Sequence, residues 1–363
     1  MKNYSRHFFI TSFLLIFSLQ FLFAQPLKVG VAGLSHDHAY GLMQQWKRGE
    51  VVIVGIAESD TVLINRYKQR YQVPDSLFYT NINQLLQHVH PDAVLAYNPI
   101  AEHIAVVRAC APKGISVMVE KPLATTVKDA REIEALVNRY NIQVLTNFET
   151  TWYASNQQAF RMVKQDGNVG LVKKMIVHTG HGGPKEIGCS KEFLAWLTDP
   201  VKNGGGAVMD FGCYGANLMT WLMDGVPPVS VTAITRQLKP AIYPNVDDDA
   251  TILLEYANGA TGIIEASWNW PFGIKDWEIF GDKSYLHALN GRELTGRTKD
   301  SIYQVSVQPP VYSSNLVYLA DVLRGHVKPE NDLSSLPNNL IVVRILDAAR
   351  QSASQGKKIM LGK

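Results

Sequence analysis

Several groups of side chains in this chain have types and spacings that could do chemistry. The first is the loop Gly30-Val-Ala-Gly33-Leu-Ser35-His36-Asp37-His38, which follows a β-rich run. Gly33 stands where a dinucleotide fingerprint needs a tight turn from strand to helix. Ser35 and His38 occupy the places of its second and third glycines. The helix start that follows offers free N–H groups and positive potential to a phosphate. Glu58 closes a second run 25 residues after Gly33, where a carboxylate would bind the adenosine ribose hydroxyls. The same carboxylate repels a 2′-phosphate, which favours NAD over NADP. A generic strand-to-helix turn and a solvated strand end are the plainer alternatives for these two features. His36 and His38 could both reach one metal ion, but no third ligand is evident, so no metal is assigned.

Other groups follow. Glu120-Lys121-Pro122 closes a further buried run. Asp210 and Tyr214 lie four residues apart at a helix start, so both can face one cleft. Trp152, Tyr153, His178 and His181 sit on segments expected to border that cleft. Aromatic faces suit the C–H faces of sugar rings, although core packing is the commoner use of any one such residue.

These groups need elements to position them, and the hydrophobic pattern supplies those. Leu27 to Ala32, Val51 to Ala57, Asp92 to Tyr97, Ser116 to Val119 and Gln143 to Asn147 are nearly all apolar, as strands buried on both faces should be. Helical spacing lies between them. Val127, Ala130, Ile133 and Val137 share one face behind Thr126, a candidate N-cap. Strand–helix alternation implies a parallel sheet with right-handed crossovers, and ligands in such sheets sit beyond the carboxyl ends of the strands. After about residue 150 the rhythm changes. Asp249 to Tyr256 and Ala260 to Ser267 flank the hairpin signal Asn258-Gly259, and Asn290-Gly291 marks another turn. A helix from Gly212 to Met223 would carry Asp210 and Tyr214 at its start. A last helix from Asn339 to Gln355 would pack back through Leu340, Val343, Ile345 and Leu346.

A length of 363 residues suggests two domains, and 46% hydrophobic with 18% charged residues is ordinary globular composition. The net charge of +3, without a basic run, argues against a nucleic-acid partner. Cys110, Cys189 and Cys213 make no disulfide framework and no zinc spacing. Lys2 and Arg6 precede an apolar run from Phe8 to Phe23 that ends at Ala24-Gln25, the pattern of a secretory signal peptide. The run is short and interrupted for a membrane span. A periplasmic or secreted protein with no stable membrane anchor after cleavage is therefore expected.

Asn98-Pro99-x-x-x-His103, then Glu120-Lys121-Pro122, then Gly204-Gly205-Gly206-Ala-Val-Met-Asp210-Phe-Gly212-Cys-Tyr214-Gly-Ala-Asn217, then Trp277-Glu-Ile-Phe-Gly281 occur in this order. Together they resemble the glucose–fructose oxidoreductase / inositol dehydrogenase (Gfo/Idh/MocA) family over nearly the whole mature chain. The resemblance implies an α/β protein: an N-terminal Rossmann doubly wound parallel sheet, then an α/β domain with an open, mostly antiparallel sheet. The organisation expected is a signal peptide over 1–24, an NAD-binding domain over 25–148 and a substrate-binding and oligomerisation domain over 149–363. It implies an NAD(P)-dependent oxidoreductase acting on CH–OH groups of a sugar or polyol, and a homo-oligomer associating through the open sheet.

Lys121, Asp210 and Tyr214 would then surround the reacting carbon. Cofactor contacts are expected from Gly30, Gly33, Ser35, His36, Glu58, Asn98, Pro99, His103, Glu120 and Lys121. Substrate contacts are expected from Lys121, Trp152, Tyr153, His181, Asp210 and Tyr214. The Lys121 ammonium would hydrogen-bond the reacting oxygen, and Asp210 would orient it or bind a hydroxyl. Two proton arrangements stay open. Either Lys121 lowers the Tyr214 phenol into an acid–base, or Tyr214 only binds substrate and Lys121 moves the proton. Tyr214 stands where many relatives carry His, and Asn217 replaces a frequent aspartate. An exported enzyme of this kind would hold its cofactor tightly, because free nicotinamide cofactor is scarce outside the cytoplasm. An NAD-dependent glycosidase using transient oxidation and a non-catalytic sugar- or cofactor-binding protein are the rivals.

Overall fold

The computed structural model describes residues 26–362, so the expected signal peptide lies outside the described residues. No described helix is long and apolar enough to cross a membrane.

The first sheet is built from β1 (Leu27–Ala32), β2 (Val51–Ala57), β3 (Phe78–Tyr79), β4 (Ala93–Ala96), β5 (Ser116–Glu120) and β6 (Val144–Asn147). Their order is β3-β2-β1-β4-β5-β6, and all five pairings are parallel. The order reverses between β1 and β4, which opens a crevice at their carboxyl ends. β4 and β5 are buried at every position, the signature of strands covered on both faces. β3 has only two residues, too few to leave a periodic trace in sequence. Thr126 caps the helix Val127–Tyr140 by accepting from Asp129 N at 3.1 Å, and Asp60 caps Thr61–Tyr71 in the same way.

The second sheet contains β7 (Val172–Gly180), β8 (Ser230–Arg236), β9 (Asp249–Glu255), β10 (Thr261–Ser267), β11 (Ile274–Gly281), β12 (Tyr285–Ala288), β13 (Leu294–Arg297), β14 (Ile302–Gln304) and β15 (Ile359–Met360). Its order is β14-β13-β12-β11-β7-β10-β9-β8-β15. Only the central β7–β10 pairing is parallel. The helices Ala154–Lys164, Gly212–Leu222 and Leu336–Gln355 join the sheet's inner face in one core with Val177, Ile252, Ile264 and Trp277. The other face is only partly buried, as the alternation along β9 and β10 shows.

Two late helices complete the first sheet. Helix Asn315–Leu323 lies beyond the expected boundary at 148/149. Its Leu316, Leu319 and Val322 are nevertheless buried in one cluster with Val29, Leu95, Met118 and Leu145. On another side of the same sheet, Val343 of the last helix joins Leu123, Ile133 and Val144. Leu319 is fully buried in that first cluster. Leu319→Ala should therefore lower unfolding free energy by about 2–5 kcal/mol in a denaturant titration.

Candidate active site

The turn after β1 is fixed by close approach. Gly33 has φ +78°, and a Cβ there would lie 2.8 Å from Asn98 Cβ. Only glycine fits this position without strain. Gly30 plays a different part from the cofactor contact expected of it. A Cβ there would meet Leu85 and Val94 at 3.3 Å, so this glycine makes room for a helix behind the sheet.

Glu58 organises the loop around itself. Its Oε2 accepts from Leu34 N at 2.9 Å, and Oε1 accepts from Ser59 N and Asp60 N, both at 2.8 Å. Beside it lies a crevice of about 570 Å³ over the ends of β1, β2 and β4, lined by Gly33, Ser35, Glu58, Asn98 and Pro99. Ser35 Oγ and Asn98 Oδ1 are buried there without a hydrogen-bond partner. Unpartnered buried polar atoms are costly, so these are sites a polar ligand would satisfy. A tight glycine turn, a carboxylate at the end of β2, an unpartnered hydroxyl that can donate to phosphate and an unpartnered amide oxygen fit a dinucleotide.

The far wall of the crevice comes from residues that sequence reading missed. Helix Lys191–Leu197 is held over the loop by the Arg66–Glu192 fork, two bonds of 2.8 Å. Trp196 Nε1 donates to Ser35 O at 3.3 Å, and Asp37 accepts from Ser190 N at 2.9 Å. No motif marks these contacts, because each joins segments more than 120 residues apart.

His103, expected at the cofactor, is instead fully buried, with Nδ1 bonded to Leu123 O at 3.1 Å. It anchors the segment that follows Lys121-Pro122. The Glu120 side chain is also internal. It bonds His38 Nδ1 at 2.9 Å and Asn147 Nδ2 at 3.0 Å. Burial alone would raise its carboxyl. The neighbouring His38, with a hydrogen bond from Asn147, outweighs burial and holds it at about 2. Glu120 is the third group near His36 and His38 that the sequence did not reveal, and the three could surround an ion. One feature opposes this. His36 Nδ1 accepts from His38 N at 3.1 Å, which leaves the proton of a neutral ring on Nε2, the atom facing Glu120. Burial also pushes the His36 ring well below its ordinary value, so it stays neutral.

Lys121 and Asp210 meet as expected, across the two halves of the chain. Nζ bonds Asp210 Oδ1 and, at 2.9 Å, the Asp210 carbonyl. Trp268 Nε1 donates to Asp210 Oδ2 at 2.9 Å, a partner with no sequence signal. Asp210 ends a short helical turn, Ala207–Asp210, just before helix Gly212–Leu222. Asp247 fixes that turn by accepting from Gly206 N at 2.8 Å and Val208 N at 2.7 Å. A Cβ on Gly206 would collide with Asp247 O at 1.7 Å, which accounts for the third glycine of the triplet. Burial opposes both charges of the pair, but mutual attraction wins. The Lys121 ammonium ends above its ordinary value and the Asp210 carboxyl below it.

Tyr214 lies beside the pair, with Lys121 Nζ 5.1 Å from its ring centroid. Its phenol is not lowered. Burial, then the carboxylates of Glu149, Asp210 and Glu120, push it well above the ordinary value. Tyr214 is therefore a hydrogen donor in the resting protein. Lys275 Nζ also lies 5.1 Å from this ring and pairs with Glu149, which accepts from Tyr153 OH at 2.7 Å. Tyr153 and His181 thus border the cleft, and the His181 ring packs edge-on against Phe211 at 4.8 Å.

Two expected cleft residues lie elsewhere. Trp152 turns away, donating from Nε1 to Asn147 at 3.2 Å and packing on Tyr318. His178 alternates with Val177 and Thr179, so it points to the sheet's outer face, bonded to Asp276 at 2.8 Å. Asn217 is buried against Leu333 and Asn339, a link between two helices rather than a cleft residue.

Comparison with known proteins agrees with this geometry. Residues 27–148 match the family described as oxidoreductase family, NAD-binding Rossmann fold, and residues 156–287 match the GFO/IDH/MocA C-terminal domain. The trans-1,2-dihydrobenzene-1,2-diol dehydrogenase of Bos taurus is 24% identical over 238 residues. That match covers 65% of this chain and 66% of that enzyme, just under two thirds of its length. The aldose-aldose oxidoreductase of Caulobacter crescentus, solved with glycerol, superposes with a TM-score of 0.78 at 20% identity, covering 93% of this chain and all of that one. An inositol dehydrogenase homologue of Azotobacter vinelandii, solved with NAD+, gives 0.78 at 17% identity over 93% and 98%. At these identities the two structures are alike in fold.

The buried Glu120 gives a pH signature. Its folded value lies below the ordinary 4.5, so its stabilisation is full above that pH and is lost as pH falls toward 2. Glu120→Gln should be less stable than the wild type at pH 7, and the two urea midpoints should converge as pH approaches 3.

Proposed function

Because the chain belongs to the GFO/IDH/MocA oxidoreductase family, we propose that it transfers hydride between NAD and a carbinol carbon of a sugar or polyol. The observation that carries this reading is the buried Lys121–Asp210 pair at the end of β5, the strand paired with β4, whose own end leads into Asn98 and Pro99 of the crevice. NAD would be held by the turn at Gly33, by Ser35 and Asn98, and by Glu58 at the ribose, and it supplies the hydride acceptor.

The protein's own task is the proton. An ammonium held at Lys121 can donate to the reacting oxygen and stabilise negative charge on it. Asp210 holds that ammonium in place through two contacts, and Trp268 holds Asp210. Tyr214, with its raised phenol, supports the reading in which it binds and orients substrate while Lys121 moves the proton. Both groups are protonated at neutral pH, so the resting site is set for reducing a carbonyl. Alcohol oxidation requires Lys121 to lose its proton first, against the attraction of Asp210.

We also propose that the chain is exported and keeps its NAD bound through turnover, on the strength of the N-terminal Lys2–Ala24 pattern. A glycosidase reading has one observation in its favour: the ionised Glu149 beside Tyr153 gives the cleft a second acid–base group, which an elimination step would need. An absorbance scan of natively exported protein separates these. A reduced-nicotinamide band that appears on adding one sugar, without added NAD, is expected. Aryl-glycoside hydrolysis with no lasting band would instead favour the glycosidase, and activity only with added NAD would remove the bound-cofactor proposal.

Two kinetic outcomes follow from the protonation states. kcat/KM for alcohol oxidation should rise with pH through 9 without a plateau, while reduction should not. Lys121→Met should lower kcat by about 100- to 10,000-fold, and Tyr214→Phe should mainly raise KM.

A further inference from the structure

A second cavity, of about 470 Å³, lies apart from the dinucleotide crevice. It opens between helix Ala154–Lys164, the segment 308–312 and the loop 327–333. Lys121, Asp210, Tyr214 and Glu58 do not line it. Its size is that of a small-molecule site, about 300–1,000 Å³.

The wall is aromatic on one side. Trp152, Trp221, Tyr312 and Tyr318 line it, and they are fixed by contacts of their own. Trp221 stacks on Phe160 at 3.9 Å, Tyr312 meets Tyr318 edge-on at 5.2 Å, and the Trp152 N–H is taken by Asn147. Trp221 and Tyr318 are buried and back the wall, so the half-buried rings of Trp152 and Tyr312 are the ones that can meet the C–H face of a pyranose.

The polar groups are the second observation. Arg161, Gln165, Gln308 and Lys328 line the cavity and make no side-chain hydrogen bond or ion pair among the described residues. Gln158 Oε1 and Thr151 Oγ1, also on lining residues, are buried and unpartnered, and Thr151 is only 7% exposed. The lining carboxylate, Asp332, is already engaged by Tyr318 OH at 2.7 Å and Ser334 N at 2.8 Å. The cavity thus offers two free cations, free amides that both donate and accept, and no free carboxylate. Amides match hydroxyls, and a guanidinium matches a carboxylate as a fork.

We propose that this cavity is an accessory carbohydrate site selective for acidic sugars, with Arg161 and Lys328 holding the sugar carboxylate and the rings holding its apolar face. The site is independent of the hydride-transfer reading, since none of the groups proposed for that chemistry lines it.

Titration of the mature full-length chain with galacturonate and glucuronate, followed by calorimetry and tryptophan fluorescence, tests this. Galactose and glucose serve as neutral controls. Saturable binding is expected for at least one acidic sugar, with the neutral sugars at least about tenfold weaker. Arg161→Gln and Lys328→Gln should each weaken the acidic sugar about 10-fold or more, with the melting temperature retained as proof of folding. Lys121→Met should leave this affinity unchanged, whatever it does to turnover. Three outcomes would overturn the proposal: no saturable binding of either acid, unchanged affinity in both cation variants, or loss of binding in Lys121→Met, which would put the sugar in the cleft.

Discussion

The structure turns on one buried ion pair. Lys121 and Asp210 are each less than a tenth exposed, so both charges have left water. Such a pair is tolerable only when every lone pair and proton has a partner. The surroundings meet most of that demand and leave one Lys121 proton without an acceptor among the described residues, the one a substrate oxygen would take. Asp210 receives Lys121 and Trp268, and its carbonyl receives Lys121 and Cys213. Each donor comes from a different element, so the pair dictates how β5, the turn Ala207–Asp210 and the segment after β10 must meet. It is also a bond between the two halves of the chain, so a motion that parted them would dismantle the chemistry with it.

Around this pair the protein has replaced glycine with imidazole. A third glycine in the dinucleotide turn would let the helix settle closely on the strand. His38 stands there and reaches Glu120, while His36 fills the space toward Phe193 and Trp196, 4.6 and 5.5 Å away. The gap left by a departure from the fingerprint is filled by a network that ties the loop to the strand end just before Lys121. Glu58 serves the same end from the other side through three backbone N–H groups.

Much of this was legible in the residues. β1 and β2 follow from their nearly all-apolar runs, and the cap at Thr126 from its spacing to Asp129. The Lys121–Asp210 meeting rested on resemblance, since 89 residues separate the two and no periodicity links them. What stayed hidden has a common cause. Trp268, Asp247, Glu192 and Trp196 act through contacts distant in sequence, which leave no local pattern. Trp152 and His178 were misplaced because one residue of phase in a turn or a strand decides which face a side chain takes. Tyr214 was put beside Lys121 with two proton arrangements open, and burial with the neighbouring carboxylates favours the one in which the phenol keeps its proton.

The late helices Asn315–Leu323 and Leu336–Gln355 have a consequence for the order of synthesis. Leu319 and Val343 cover parts of the first sheet, but a ribosome makes them last. Until they emerge, the nascent nucleotide-binding half has its strands but lacks two of its lids, with apolar surface open to unwanted partners. The half that looks self-sufficient in sequence must therefore be sheltered through nearly the whole of translation. A message cut short within its last 49 codons, from Asn315 onward, would yield a protein wounded at its beginning.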